Sequence, residues 1–215
     1  MRRLPVYILI DTSTSMRGEP IAAVELGLKA LMQSLNQDPY ALETVCLSVI
    51  TYNTQAEQIL PLTEVYKIRI PELTAKGRSA LGEALQLLCD KVDNEVHKNT
   101  PEEKGDWKPL LFILSDGGYS GPIAKPITEL KKKTFGLVVA CAAGLKSKVE
   151  ILQKITPNVV QISSTDAVNI KAYFKWVSSS ISTTSTRIET TGDIGTTIEE
   201  LPPLPKEIII LTKDN

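Results

Sequence analysis

Apolar positions along the chain follow two rhythms. Near-continuous apolar runs at 5–11, 44–52, 56–62, 109–115, 134–142 and 158–162 predict β-strands. Several are Val/Ile/Leu runs without alternation, as expected of strands covered on both faces. Between them apolar residues recur at helical spacing. Ile21, Val24, Leu28, Leu31 and Leu35 form one stripe; Leu81, Ala84, Leu85, Leu88 and Val92 form a second; Ile170, Tyr173, Phe174, Val177 and Ile181 form a third. Each stripe can lie on a sheet. Shorter helices are predicted over 122–132 and 146–154, with Pro122 and Pro126 in the opening turn of the first.

Strand and helix patterns alternate, which predicts a doubly wound, mostly parallel six-stranded sheet with helices on both faces. Asn53-Thr54-Gln55 is too short for a helical crossover. The strands flanking it should therefore form a hairpin, giving one antiparallel edge strand. After about residue 178 the composition changes. Residues 178–191 are dominated by Ser and Thr and read as a polar linker, and Leu201-Pro-Pro-Leu-Pro205 reads as extended. The run Ile208-Ile209-Ile210-Leu211 is an aggregation risk if left unpaired. It is expected to add to a sheet edge or fill a groove, in this molecule or a neighbour. The expected organisation is one domain over 1–185 and a Ser/Thr- and Pro-rich tail over 186–215.

A chain of 215 residues with 42% hydrophobic positions can bury a sizeable core, which argues against wholesale disorder. The net charge of -1 gives no reason to expect nucleic acid or an anionic membrane as partner. The apolar run after Arg2 and Arg3 ends at Asp11 and is too short for a secretory signal or a membrane span. The expectation is a cytoplasmic protein. Cys46, Cys89 and Cys141 lie in apolar segments without metal-site or disulfide spacing, and read as reduced, buried thiols. His97 is the only histidine, and its charged helical neighbourhood favours a surface role.

The candidate chemistry sits at the ends of two strands. The first runs into Asp11-Thr-Ser13-Thr-Ser15, and the strand at 109–115 runs into Ser115-Asp116-Gly117. Ligands of open α/β sheets bind beyond the carboxyl ends of the strands, where strand order reverses. The first and fourth strands are natural neighbours there, so Asp11 and Asp116 should face one another. Ser79 adds a hydroxyl just ahead of the helix starting near Leu81. Carboxylates, hydroxyls and water suit Mg²⁺, Mn²⁺ or Ca²⁺ rather than zinc or copper. With so few protein donors, water or a partner's carboxylate must complete the shell, which suits Mg²⁺ best. Taken singly, the serines also read as helix caps and Asp116 as a turn former; their combination favours the metal.

The motif Asp11-x-Ser13-x-Ser15, the hydroxyl at Ser79 and Ser115-Asp116-Gly117 resemble the metal-ion-dependent adhesion site of von Willebrand factor type A domains, over roughly residues 4–185. The resemblance implies a Rossmann-like fold in which Asp11, Ser13 and Ser15 reach the metal directly or through water. It also implies that Ser79 replaces a more usual threonine and that Asp116 acts through water. More narrowly, the phrase Arg78-Ser-Ala-Leu-Gly-Glu-Ala-Leu85, the compact start and the Pro-rich tail are similar to bacterial tellurium-resistance TerY-type proteins. That resemblance implies a stress-response setting, with a protein kinase and a phosphatase as partners.

Three functions follow. The first is a non-enzymatic, metal-dependent interaction module whose open coordination position takes a partner's Glu or Asp. The second is a metal-dependent phosphoryl-transfer enzyme, disfavoured because Ser13 stands where such enzymes place a second aspartate. The third is a metal that merely ties loops together. The hydroxyl-rich stretch 178–191 also raises the question of phosphorylation.

Overall fold

The computed structural model describes residues 2–194 and 197–211. Met1, Gly195, Thr196 and residues 212–215, which fall within the expected domain and tail ranges, lie outside the described residues.

The strands are β1 (Leu4–Asp11), β2 (Val45–Tyr52), β3 (Ala56–Glu64), β4 (Leu110–Ser115), β5 (Leu137–Ala143), β6 (Val159–Ile162) and β7 (Ile208–Ile210). They form one sheet in the order β3-β2-β1-β4-β5-β6-β7. Its five central strands are parallel, while β3 pairs antiparallel with β2, and β7 antiparallel with β6. Every residue of β1, β2 and β4 is buried, which is why these strands read as unbroken apolar runs.

The helices are α1 (Glu19–Asn36), α2 (Pro39–Thr44), α3 (Leu81–Glu95), α4 (Ala124–Lys131), α5 (Val149–Ile155) and α6 (Ala167–Thr191). On one face α1 and α6 pack over Val6, Ile8 and Ile10. On the other, α3, α4 and α5 cover Tyr7 and Leu9. Alternate residues of one strand thus serve two cores. The three cysteines are free and buried.

Two expectations change. The sheet has seven strands and two antiparallel edges rather than six strands and one, because Ile208–Ile210 closes the β6 edge. The stretch 178–191 is the second half of α6 rather than a linker. Its hydroxyls satisfy themselves against the helix: Ser180 Oγ donates to Trp176 O at 2.8 Å, and Thr184 Oγ1 to Ser180 O at 2.9 Å. Ser185 Oγ meets Thr44 Oγ1 of α2 at 2.7 Å. Small hydroxyl residues so paired can be buried, and Ser180, Thr184 and Ser185 are; Ser178 is buried as well, with no hydrogen-bond partner for its Oγ among the described residues.

Beyond α6 the chain returns over the same face. Trp176 Nε1 donates to Pro202 O at 2.9 Å, and Leu201 and Leu204 pack on the core. The run Ile208–Leu211 therefore joins a sheet edge of its own molecule, with Leu211 N donating to Val159 O at 2.8 Å. Ile209 and Ile210 stay about half exposed.

Candidate metal centre

Strand order reverses between β1 and β4, the neighbours whose following helices lie on opposite faces. The crevice between their carboxyl ends is the natural ligand position of such a sheet. Asp11 is the last residue of β1, and Asp116 follows β4 directly. Both are placed by the pairing of β1 with β4 from Val6–Leu110 to Ile10–Leu114.

Asp11 is fully buried and organises the loop after it. Its Oδ1 accepts the Ser13 N–H at 2.7 Å, and its Oδ2 lies 2.9 Å from Ser79 Oγ. A 3-10 turn at Thr14–Met16 brings Ser15 back, so that Ser13 Oγ and Ser15 Oγ stand 2.9 Å apart. The segment before Ser79 is fastened to the same loop. Thr14 N and Thr14 Oγ1 both donate to Gly77 O, at 3.1 and 2.8 Å, and Lys76 N donates to Thr12 O at 2.9 Å.

Four of the five expected residues, Asp11, Ser13, Ser15 and Ser79, are thus joined by direct hydrogen bonds. Asp116 joins them through Gly118, which the sequence did not single out. Gly118 N donates to Asp116 Oδ1 at 2.7 Å, while Gly118 O accepts Ser79 Oγ at 2.8 Å. The Gly-Gly pair after Asp116 was the available signal, since a backbone that must approach this closely has no room for side chains.

Gly117 shows the same constraint. Its φ is +72°, and a Cβ there would stand 2.3 Å from Lys148 O. The turn is held by Lys148 N donating to Asp116 O at 2.9 Å and Gly117 N to Ser115 Oγ at 3.0 Å. Gly117→Ala is expected to cost about 2–4 kcal/mol from backbone strain and the clash. Urea unfolding in EDTA measures this, and an effect below the scatter of surface substitutions would refute the constraint.

The electrostatics are those of a site short of positive charge. Burial raises the Asp11 pKa from 3.8 to about 6; the Ser13 hydroxyl and N–H and Ser79 pull it down, while the charge of Asp116 adds to the rise. Tyr52, opposite Asp11 in the β1–β2 register, is fully buried and held well above its usual pKa, mainly by burial and then by the Asp11 charge.

Ser79 makes the shortage concrete. A hydroxyl carries one proton, yet Ser79 Oγ lies within hydrogen-bond distance of two acceptors, Asp11 Oδ2 and Gly118 O. When Asp11 is ionised, one of the two contacts lacks a proton. A proton on Asp11 resolves the conflict, and so does a nearby cation.

The donor set fits a hard divalent ion. It offers two carboxylates, which match the ion's charge, and three hydroxyls, with no soft donor. Among the described residues no group of three or more His, Cys, Asp and Glu side chains is placed to hold a metal ion. A groove of about 550 Å³ opens beside the loop, lined by Ser15, Asp116, Leu145, Lys146 and Lys148 among others.

Comparisons with known proteins give the family and the fold. The family model described as von Willebrand factor type A domain matches residues 6–183. The sequence matches no curated protein. Among solved structures, a von Willebrand factor type A protein from Catenulispora acidiphila is 17% identical with a TM-score of 0.63, covering 85% of this chain and 43% of that one. The pilus adhesin SpaC of Lactobacillus rhamnosus GG is 14% identical with a TM-score of 0.64, covering 85% and 30%. Proximal thread matrix protein 1 of the mussel byssus, with a zinc-occupied MIDAS motif, is 18% identical with a TM-score of 0.54, covering 82% and 46%. The chain spans less than half of each of these three. At such identities the likeness carries the fold.

Proposed function

The chain belongs to the von Willebrand factor type A domain family, and from that premise we propose that it binds a partner protein through a divalent metal held at the end of β1. Domains of this family typically serve as metal-dependent interaction modules rather than enzymes. In this chain Asp11, Ser13, Ser15, Ser79 and Asp116 would hold the ion. The observation that carries the reading is the convergence of the Ser13 N–H, the Ser79 hydroxyl and, through Gly118, Asp116 on the buried Asp11 carboxylate.

The residues themselves divide the work. Asp11 supplies buried charge that water cannot screen. The hydrogen bonds of Ser13 and Ser79 fix which way its oxygens face. Ser15, exposed at the groove, marks the side from which a partner arrives. When bound, the ion supplies an open coordination position for a Glu or Asp of the partner, a charge-assisted contact that one residue can dominate.

We assign Mg²⁺ as the ion, with Mn²⁺ or Ca²⁺ as substitutes. We place the protein in the cytoplasm, in a bacterial tellurium-resistance or stress-response system whose kinase and phosphatase are natural partners to test. Among the described residues no helix is long and apolar enough to cross a membrane. We propose residues 1–185 as the binding module and 186–215 as its tail, with α6 continuing across that boundary to Thr191 and β7 returning the tail to the sheet. The phosphoryl-transfer alternative has no observation in its favour. Ser13 occupies the position of the second aspartate and is engaged with Ser15.

The test is a pull-down from the native host, with wild type beside Asp11→Ala, in Mg²⁺ and in EDTA. A protein retained only by wild type in Mg²⁺ is the expected result. Equal retention by both proteins in both buffers removes the proposal. Zinc belongs in the same experiment as a competitor, since it occupies the motif of the mussel protein.

A further inference from the structure

We propose that the partner presents an acidic stretch rather than a single acidic residue: one carboxylate completes the metal site, and its neighbours in sequence are held by a ring of cations around it. The inference rests on the metal-dependent reading above and adds what kind of segment the site selects.

The rim of the crevice carries Arg17, Lys76, Arg78, Lys146 and Lys148, all exposed. Each lies on a loop tied to the metal loop or to Asp116. Arg17 ends the turn that carries Ser15, with its N–H donating to Thr14 O at 3.1 Å. Lys76 and Arg78 flank Gly77, whose carbonyl takes both Thr14 donors. Lys148 N donates to Asp116 O, and Lys146 and Lys148 line the groove together with Ser15 and Asp116.

None of these five side chains makes an ion pair among the described residues, so none of them is committed to a carboxylate of its own molecule. The pattern departs from the whole chain, whose net charge is -1. The acidic residues at this end of the sheet occupy other positions. Glu19, Glu83 and Glu150 sit in the first turns of α1, α3 and α5, where a carboxylate complements the helix dipole. Glu19 also accepts the Ala167 N–H at 3.3 Å.

The cations cannot be there to neutralise the buried site, because exposed charges are screened by water while Asp11 is not. They can act on a ligand that arrives from solvent. An extended segment advances about 3.3 Å per residue, so acidic residues on either side of the metal-bound one come within reach of the rim lysines and arginines. Leu145, 71% exposed between the two groove cations Lys146 and Lys148 and the sheet, offers an apolar contact to the same segment. Complementary rim charges of this kind act on encounter rate and partner choice, and their effect falls as salt rises.

The experiment uses fluorescein-labelled Gly/Ser peptides carrying one central Glu, five consecutive Glu, or five phosphoserines, measured by fluorescence polarisation against the full chain in Mg²⁺. The five-Glu peptide is expected to bind about tenfold tighter than the one-Glu peptide at low salt, as several weak exposed pairs act together. In Lys146→Gln/Lys148→Gln that advantage should shrink to about twofold, and 0.5 M NaCl should shrink it likewise, because both remove the same screened attraction. Calorimetric titration with Mn²⁺ checks that the double variant keeps its metal site.

An equal affinity for one-Glu and five-Glu peptides overturns the proposal. So does a tenfold advantage left undiminished in the double variant, or the absence of binding by any peptide in Mg²⁺. Tighter binding of the phosphoserine peptide replaces the carboxylate segment with a phosphorylated one, and so overturns it too. Five-Glu binding that ignores EDTA and Asp11→Ala but still needs both lysines removes the metal reading alone and supports the rim's acidic preference.

Discussion

Asp11→Asn is expected to make the metal-free protein more stable, by about 1–3 kcal/mol at pH 7.5, while abolishing its response to Mg²⁺. The sign follows from burial. In the fold the Asp11 pKa rises from 3.8 to about 6, so folding favours its protonated form. The resulting stability is fully present below about pH 4, near the unfolded value, and is lost as pH rises through about 6. Above that, wild type carries a buried charge against which Ser79 can place its proton only by releasing Gly118 O. The amide of Asn removes the charge, can donate to Ser79 Oγ and frees the Ser79 proton for Gly118. Stability measured in EDTA from pH 4 to 8 should show the two proteins converging at the acid end, separating between about pH 4 and 6, and holding a constant difference above that. Asp166, held down to about 2 chiefly by the Ser164 hydroxyl, acts in the opposite direction but cancels in the comparison. Adding Mg²⁺ should raise the melting temperature of wild type only. A variant less stable than wild type in EDTA at pH 7.5 would show that Asp11 is held for the fold and not for a ligand.

Phe174→Ala is expected to cost about 3–5 kcal/mol, the range for emptying a large buried aromatic site. Phe174 is fully buried at the contact between α1 and α6, edge-on to Tyr173 with ring centroids 5.5 Å apart. The α1 residue facing it is Gly27, where a Cβ would stand 2.3 Å from the ring. Gly27→Ala therefore forces the ring aside and should cost about 1–3 kcal/mol, despite the better helix propensity of alanine. The double variant should cost less than the sum, because the added methyl enters space that the ring has left. Urea midpoints for the three variants measure the coupling. Simple additivity would mean that the two helices do not meet through this pair.

Much of this was legible beforehand because its cause is local. Asp11 and Asp116 end apolar runs, and strands buried on both faces have to be such runs. The position of Ser79, shortly before a strongly periodic helix, was equally plain. The five residues expected of the site occupy one crevice, with Asp116 joined indirectly.

What escaped was set by contacts distant in sequence or by elements too short to show a period. Helix α2 has six residues, and only its Asp38-Pro39 start, with Asp38 capping Tyr40 and Ala41, announced it. The second half of α6 was hidden by its composition. Ser and Thr usually compete with a helix, but here their hydroxyls bond back to carbonyls one turn earlier, and Ile181, Thr184 and Ile188 continue the buried stripe. The seventh strand was half visible: four apolar residues called for an edge, but nothing in them named β6. Gly118 acts through its backbone, which a side-chain motif does not display.

The buried cysteines have a practical consequence. Burial pushes the thiols of Cys46 and Cys89 up to about 11 and that of Cys141 higher still, so at neutral pH none offers a thiolate to an electrophile. The native chain is therefore expected to react slowly with maleimides at neutral pH, which a labelling time course on the wild-type protein checks. A single cysteine at Leu145, beside the groove, would take one dye with no other residue removed, and would place a reporter of partner arrival at the rim of the crevice.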